Sequence, residues 1–194
     1  MNVGAVVLAA GAGSRFGGAK LRAVLDGRPM VRHVIDAAVA AGLEPIVVVV
    51  PPGDALDGVD LAPARSVTNP MPAEGLSSSV RLGLRALEGE AVEAAVIMPG
   101  DQPRVRVAVI AALIAAAEQR PGTPFMVPQY RDDAAPNPIL ARRSTWRLAD
   151  ELAGDRGFGP VLDAHPELVG RVPVDGANPD VDTVADLLRL QGVS

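Results

Sequence analysis

The chain has 194 residues, of which 48% are hydrophobic, 21% are charged and 3% are aromatic, and its net charge is −5 at pH 7. This size predicts a single domain over residues 1–194, and an acidic chain with few aromatics is a poor binder of nucleic acid or anionic membranes. The lack of cysteine excludes disulfides and thiolate metal sites. No apolar run has the length of a membrane span, and the N-terminus lacks a secretory signal pattern, so we expect a cytoplasmic protein.

Short apolar runs alternate with longer segments rich in alanine and leucine along the chain. The predicted strands are Val3–Ala9, Pro45–Val50, Arg65–Thr68, Ala94–Met98, Pro124–Val127, Pro138–Ala141 and Val169–Val174. The predicted helices are Met30–Ala41, Ser77–Leu87, Val105–Glu118, Thr145–Leu152, Phe158–Ala164 and Thr183–Leu190. This alternation predicts an α/β sandwich on a mostly parallel sheet, in which ligands bind beyond the carboxyl ends of the strands.

The first predicted strand runs into a glycine-rich segment, VVLAAGAGSRFGGAK, which ends at Lys20. A dinucleotide-binding turn requires G-x-G-x-x-G, but Phe16 stands where the third glycine belongs, and a Walker-type loop requires a Gly-Lys-Ser/Thr that is absent. A plain turn explains Gly11 and Gly13 but not the later glycines together with Arg15 and Lys20. A triphosphate cradle explains them all, because glycine backbone N–H groups, a guanidinium and an ammonium all bind phosphate oxygens.

Lys20 is the only lysine in a chain that has 18 lysine and arginine residues. In such an arginine-biased sequence, a retained lysine indicates a site that requires a compact ammonium rather than a planar guanidinium. Chance retention is the alternative explanation for this residue.

The glycine-rich segment and several later segments resemble the sequence motifs of one family of enzymes. LAAGAGSRFGGAK is similar to the first motif, L-A-A/G-G-x-x-x-R-M/F-G…K, of nucleotidyltransferases with the nucleotide-diphospho-sugar transferase fold. NPMPAEGLSSSV resembles the family's Asn-Pro loop and Gly-Leu-Ser-Ser-Ser helix start, APNPIL its Pro-Val/Ile-Leu segment, and GDRG its Gly-Asp-Lys/Arg-Gly stretch. VIMPGDQP places Asp101 at the end of a buried strand, and VDT corresponds to the late aspartate motif. The similarity runs from Val3 to Leu187, and the branch it resembles most is the MobA-like molybdenum cofactor cytidylyltransferases.

The resemblance implies a three-layer α/β/α sandwich and an enzyme that transfers CMP from CTP to the terminal phosphate of molybdopterin, with Mg²⁺ as its cofactor. The implied catalytic residues are Arg15, Lys20 and Asp101, and the implied metal ligands are Asp101 and Asp182. The implied nucleotide-binding residues are Leu8, Ala9, Ala10, Gly11, Gly13, Ser14, Arg15, Lys20, Asn69, Ser77, Ser78, Ser79 and Gly100. The implied acceptor-binding residues are Gln102, Pro103, Asn137 and Pro138.

The expected nucleotide base and the expected acceptor depend on smaller features of the sequence. Ala10 stands where the guanylyl branch tends to carry glycine, and its methyl group would crowd a purine, so we expect CTP rather than GTP. Pro72 and Pro136 depart from the family pattern beside the expected acceptor pocket. The alternatives are a cytidylyl- or guanylyltransferase for another phosphorylated acceptor, such as an isoprenoid precursor or phospholactate, and a non-catalytic nucleotide- or pterin-binding chaperone. The expected partners are a molybdenum hydroxylase or its chaperone, and we expect a monomer or weak homo-oligomer.

Some of these residues also have structural interpretations. Asp182 is a candidate cap of the last helix, the three serines are candidate caps of theirs, and Asp180 is a candidate turn or capping residue. The chain has no spacing typical of zinc ligands, so His33 and His165 are expected to be structural or surface groups. Tyr130 lies in a loop that can reach a pterin, whereas Trp146 is expected in the core.

Overall fold

The computed structural model of the protein describes residues 1–11, 13, 16, 19–53, 55–131 and 135–192. In these residues the main sheet has seven strands, in the order β5-β4-β1-β6-β8-β7-β9. The strands of the main sheet are β1 (Val3–Leu8), β4 (Ile46–Val50), β5 (Arg65–Thr68), β6 (Ala94–Pro99), β7 (Phe125–Gln129), β8 (Ile139–Arg142) and β9 (Val169–Pro173). A separate hairpin pairs β2 (Val24–Leu25) with β3 (Arg28–Pro29).

Most helices lie between these strands, and the last one follows β9. The α-helices are α1 (Met30–Ala40), α2 (Leu76–Ala86), α3 (Val107–Gln119), α4 (Gly159–Ala164) and α5 (Val184–Leu190). The 3₁₀ segments are Lys20–Arg22, Pro72–Glu74, Arg143–Glu151, Gly154–Arg156 and Pro166–Leu168. Observed and predicted element bounds therefore differ by one or two residues in most cases.

The sheet is mixed. The strands β5, β4, β1 and β6 are mutually parallel, β8 is antiparallel to both β6 and β7, and β9 is parallel to β7. The parallel part places the carboxyl ends of β1, β4 and β6 at one edge. This is the mostly parallel mixed sheet that the sequence predicts.

Both faces of the sheet are covered, which makes the three-layer α/β/α sandwich. Along β1 the side chains alternate: Ala5 and Val7 pack with α1 and α3, whereas Val6 and Leu8 pack with α2 and the 143–151 segment. Alternation between two buried faces explains why this strand is apolar at every position. The predicted fold class is confirmed.

One predicted helix differs in type, because residues 143–151 form a 3₁₀ helix. Trp146, Ala149 and Leu152 are buried, and their spacing of three residues matches the three-residue turn of a 3₁₀ helix. Trp146 packs in the core as expected, and its Nε1 donates to the Ala141 carbonyl at 3.2 Å.

A third, small apolar cluster supports the site edge. Leu25 and Met30, from the hairpin and the start of α1, pack with Val181 and Leu187 on either side of the α5 start. Full burial of one such side chain contributes about 1.5–3 kcal/mol. The cluster fixes the last helix beside the segment that carries Lys20.

Across the described ranges, no helix combines the length and the apolar character that crossing a membrane requires.

Candidate active site

A cavity of about 620 Å³ opens beyond the carboxyl ends of β1 and β6. The predicted site residues on its lining are Ala10, Gly11, Gly13, Lys20, Ser79, Asp101 and Asp182. Two of the predicted residues, Ser14 and Arg15, lie outside the described residues. The structure thus brings Gly11, Gly13 and Lys20 of the glycine-rich segment and both predicted metal ligands to one cavity.

Lys20 joins the two predicted metal ligands. Its Nζ donates to Asp101 Oδ2 at 2.8 Å and to Asp182 Oδ1 at 2.9 Å. Burial by itself would lower the pKa of Lys20, but the hydrogen bonds and charges of the two carboxylates outweigh it and the pKa is raised. The lysine is therefore fully charged near neutral pH.

Two backbone hydrogen bonds place the carboxylates. The Gly100 N–H donates to the Leu8 carbonyl at 2.9 Å, which holds the turn after β6 against the end of β1. A Cβ at Gly100 would lie 2.9 Å from that carbonyl oxygen, so only glycine allows this approach. The Val181 N–H then donates to the Asp101 carbonyl at 3.0 Å and brings the late segment, with Asp182, to the same place.

The start of α5 fixes the backbone of Asp182. The N-cap is Thr183, whose side chain accepts from the Asp186 N–H in a reciprocal capping box. Asp182 is therefore not the cap of this helix. The Asp186 Oδ2 accepts from the N–H groups of Asp182 at 3.1 Å and Thr183 at 2.7 Å, and hydrogen bonds to the Thr183 side chain and backbone lower the pKa of Asp186.

A buried amide pair lies behind Asp180. Gln102 Nε2 donates to Asp180 Oδ1 at 2.8 Å, and Asn178 Nδ2 donates to Gln102 Oε1 at 3.0 Å. Burial, followed by the charge of Asp101, raises the pKa of Asp180. Asp180 lines the cavity, so it is a site residue that the sequence interpretation as a turn or cap missed. Its position two residues before Asp182, in the same segment between β9 and α5, is the signal that was available.

The Asp101 and Asp182 carboxylates, which both contact Lys20, are suited to binding a divalent cation. Among the described residues, no group of three or more His, Cys, Asp and Glu side chains has the arrangement of a preformed metal site. Asp101 and Asp182 nevertheless contact the same atom, and oxygen ligands from one or two carboxylates, completed by substrate phosphates, are what Mg²⁺ prefers. The residues present therefore fit such an ion.

A second cavity, of about 510 Å³, shares the glycine-rich wall. Pro51, Pro52 and Leu56 line its other side, and Ala10 belongs to both cavities. This wall comes from the loop that follows β4. An apolar slot beside a charged cleft is suited to a flat ring with a charged tail.

The Asn69 loop and the serines have structural contacts. Asn69 is 2% exposed and donates to the hydroxyls of Ser78 at 2.8 Å and Ser79 at 3.0 Å. The Ser77 and Ser78 hydroxyls donate to backbone carbonyls of residues 74 and 75, and no serine side chain caps α2. Of the three serines only Ser79 lines the cavity. The nucleotide contacts of Asn69 and of all three serines stay predictions.

The predicted acceptor residues do not line either cavity. Gln102, Pro103 and Pro138 are buried, and Gln102 is 1% exposed with both the nitrogen and the oxygen of its side-chain amide hydrogen-bonded. Asn137 is half-buried, and its carbonyl accepts from the Tyr130 hydroxyl at 2.9 Å. Tyr130 follows β7 and is buried, and its contact with a pterin stays a prediction. Their role toward an acceptor stays a prediction, and the contacts seen are structural.

Residues 154–157 lie against α2 and form one side of the cavity. Gly75 has a φ of +90°, and a Cβ there would lie 2.5 Å from the Gly154 carbonyl carbon and 2.6 Å from Asp155 Oδ1. This close approach brings Asp155 onto the cavity lining. With Asp101, Asp180 and Asp182, it gives the described lining four carboxylates against one lysine.

Comparison with known proteins gives both a family and neighbours. The chain is 35% identical over 136 residues to 2-C-methyl-D-erythritol 4-phosphate cytidylyltransferase of Cereibacter sphaeroides, a match that covers 66% of this chain and 59% of that protein. It is 35% identical over 135 residues to the bifunctional enzyme IspD/IspF of Novosphingobium aromaticivorans, over 66% of this chain and 34% of that protein. The chain thus spans about a third to three fifths of these curated relatives.

Solved structures agree with the fold. Rv0371c of Mycobacterium tuberculosis H37Rv superposes with a TM-score of 0.86 at 26% identity and covers 99% of this chain and 98% of its own. A structure of Rv0371c in complex with manganese gives a TM-score of 0.76 at 27% identity, covering 100% of both chains. The model of the MobA-like NTP transferase domain matches residues 5–169. That range holds most of β1, the strands β4 to β8, the glycine-rich segment and Asp101, and the chain belongs to the MobA-like NTP transferase domain family.

Proposed function

We propose that this chain, as a single domain over residues 1–194, is a nucleotidyltransferase that transfers CMP from CTP to the terminal phosphate of molybdopterin and releases pyrophosphate. The observation that carries the proposal is the convergence of Asp101 and Asp182 on Lys20 Nζ beside the glycine-rich segment. Family membership and cytidylyltransferase relatives support the reaction class. The acceptor rests on the sequence resemblance.

The protein's own groups bind and orient the nucleotide. Gly11 and Gly13 line the charged cavity, where their backbone N–H groups are available to triphosphate oxygens. Lys20, together with Arg15, would stabilise the charge that grows on the leaving pyrophosphate. A divalent cation held by Asp101 and Asp182, proposed to be Mg²⁺, would neutralise charge on the triphosphate oxygens.

The transfer needs no strong general base. An oxygen of the acceptor phosphate forms a bond to the α-phosphorus, while the bond from that phosphorus to the bridging oxygen breaks and its electron pair leaves with pyrophosphate. The attacking oxygen is already ionised, so catalysis comes from positioning and charge stabilisation. The histidines agree with this, because His33 Nε2 bonds the Leu25 carbonyl at 2.8 Å and His165 lies exposed beside Glu167.

The choice of CTP rests on Ala10 and the apolar slot. Ala10 is 3% exposed and forms part of the lining of both cavities, between the phosphate side and the wall of Pro51 and Leu56. A methyl group at this junction narrows the slot, which favours a single-ring base over a purine.

A second candidate acceptor is 2-C-methyl-D-erythritol 4-phosphate, which is favoured by the relative that shares 35% identity over 66% of this chain. The chemistry at the α-phosphorus is the same, since this acceptor also ends in a phosphate. The two candidates differ only in the body of the acceptor.

The test is a screen for pyrophosphate release from CTP, UTP, GTP and ATP, each with molybdopterin, with methylerythritol phosphate and with neither, in the presence of Mg²⁺. We expect release with CTP and molybdopterin, and loss of release in Asp101→Asn. Release with methylerythritol phosphate alone would select the second candidate. A preference for GTP would contradict the assigned base, and tight CTP binding without release in any mixture would favour a binding chaperone.

A further inference from the structure

Lys20 occupies the point that both carboxylates face. Its ammonium contacts Asp101 at 2.8 Å and Asp182 at 2.9 Å, while its side chain is 11% exposed. The stem is confined too, because a Cβ at Gly13 would lie only 3.1 Å from Lys20 Cβ. The Lys20 side chain is therefore held in one position between the two carboxylates.

Such a cluster needs a cation. Two carboxylates that approach one point repel each other, and Asp180 adds a third carboxylate on the lining of the same cavity. The ammonium of Lys20 neutralises part of this charge. A divalent cation would use the same carboxylate oxygens, so the two cations compete for them.

We propose that Lys20 is an internal counter-ion that holds Asp101 and Asp182 together in the cation-free protein and is exchanged for the divalent cation. This inference rests on the proposed function, since it takes Asp101 and Asp182 as the cation ligands. Once the divalent cation displaces the Lys20 ammonium from the carboxylates, the ammonium is free to bind a triphosphate in the same cavity. Binding of the cation and binding of the triphosphate are then coupled through one side chain, and each strengthens the other.

The exchange predicts a gain of cation affinity when the lysine is removed. Isothermal titration of Mn²⁺ into the full chain, without nucleotide, compares the unmodified protein with Lys20→Gln and Lys20→Arg. Lys20→Gln should bind Mn²⁺ about tenfold or more tightly, which is the usual effect of one neighbouring charge on an ionisation equilibrium. Lys20→Arg keeps the positive charge and should bind no more tightly than the unmodified protein.

Thermal unfolding gives a second measurement. Without a cation Lys20→Gln should melt at a lower temperature than the unmodified protein, because its carboxylates are no longer neutralised, and Mn²⁺ should raise its Tm by more. Lys20→Met serves in place of Lys20→Gln if the latter does not fold. Equal or weaker Mn²⁺ binding by the neutral variants would overturn the exchange.

Asp101→Asn separates this failure from a failure of the proposed function. If Asp101→Asn loses Mn²⁺ binding while Lys20→Gln gains none, the cation site stands and the exchange is wrong. If Asp101→Asn binds Mn²⁺ as the unmodified protein does, the cation site of the proposed function is wrong and the exchange with it. Tighter binding in Lys20→Gln, together with loss in Asp101→Asn, supports both.

Discussion

At the scale of single residues, Asp180 is under electrostatic strain. Burial and the charges of Asp101 and Asp182 raise its pKa, so the fold favours its protonated form. This cost is absent well below the ordinary pKa of an aspartate, about 3.9, and is fully present once the pH exceeds the raised value. Asp180→Asn should therefore raise the Tm at pH 7, and the gain should shrink as the pH falls through the raised pKa and be lost below about 4.

The control for this variant is Asp175→Asn. Asp175 is 80% exposed and pairs with Arg131 at the surface, so its replacement should change stability by less than about 0.5 kcal/mol. Thermal unfolding of both variants between pH 3 and pH 8 makes the comparison. An Asp180→Asn protein less stable than the unmodified one at pH 7 would show that its hydrogen bond to Gln102 matters more than charge.

Ala10 is the residue on which the expected base preference depends. Ala10→Gly removes the methyl group at the junction of the two cavities, so a purine should gain room there. We expect the ratio of kcat/KM for GTP to that for CTP to rise about tenfold or more, within the range that a methylene in a pocket discriminates. An unchanged ratio in steady-state kinetics would mean that the base is selected elsewhere.

At the scale of elements, α2 packs closely against the main sheet at Gly83. A Cβ at Gly83 would lie 2.3 Å from Val6 Cγ1 and 3.1 Å from Val49 Cγ2, both of which are buried. Overpacking of this kind costs about 1–3 kcal/mol, which exceeds the gain of roughly 1 kcal/mol from alanine's helix propensity. Gly83→Ala should lower the free energy of unfolding in urea.

Gly89 provides the matched control, because a Cβ at this position meets nothing within 4 Å. Gly89→Ala should leave the unfolding midpoint nearly unchanged. A stabilised Gly83→Ala protein would mean that α2 can move off the sheet at little cost.

The start of α5 should support the site as well as the helix. Asp186 accepts the Asp182 N–H, so Asp186→Ala should loosen a proposed cation ligand and weaken Mn²⁺ binding by about tenfold or more, as loss of a residue that orients a ligand does. The lowered pKa of Asp186 means that its contribution to stability is present above the ordinary aspartate pKa and is lost as the pH falls below it. Unfolding of Asp186→Ala should lack this acid-side loss.

Arg189→Ala is the control for α5. Arg189 pairs with Asp186 Oδ1, whereas the bonds to Asp182 and Thr183 use Oδ2. Arg189→Ala should keep both the Mn²⁺ affinity and the acid-side slope. If it weakens Mn²⁺ binding as much as Asp186→Ala does, the effect belongs to helix stability and not to the orientation of Asp182.

At the scale of the whole molecule, the negative charge of the protein disfavours the binding of an anionic substrate. The chain carries −5 overall, and the described lining of the cavity has four carboxylates against Lys20. A triphosphate should therefore bind poorly unless a cation accompanies it. We expect CTP to bind at least about tenfold more weakly with a chelator than with Mg²⁺, whereas uncharged cytidine should bind equally in both. Equal CTP affinity in calorimetry would contradict this.

The element order was predictable because it follows from local patterns. Runs such as Ile46–Val50 are β-branched and apolar at every position, which indicates a strand buried on both faces. Residues 143–151 show the limit of such patterns, since the sequence predicted a helix there but not that it is a 3₁₀ helix. The single lysine and the glycine-rich segment identified one wall of the site through their residue chemistry alone.

The rest of the site depended on contacts between residues far apart in the chain. Gln102 and Asn178 lie 76 residues apart, and their pairing behind Asp180 exists only because the chain after β9 returns to the end of β6. Strands, helices and the residues able to bind phosphate could be recognised in the sequence, because hydrophobic periodicity and residue chemistry are local properties. The family resemblance implied that Asp101 and Asp182 share one site, but the contacts of both carboxylates with Lys20 Nζ could not be recognised in the sequence, because the order of strands in the sheet is what brings these segments together.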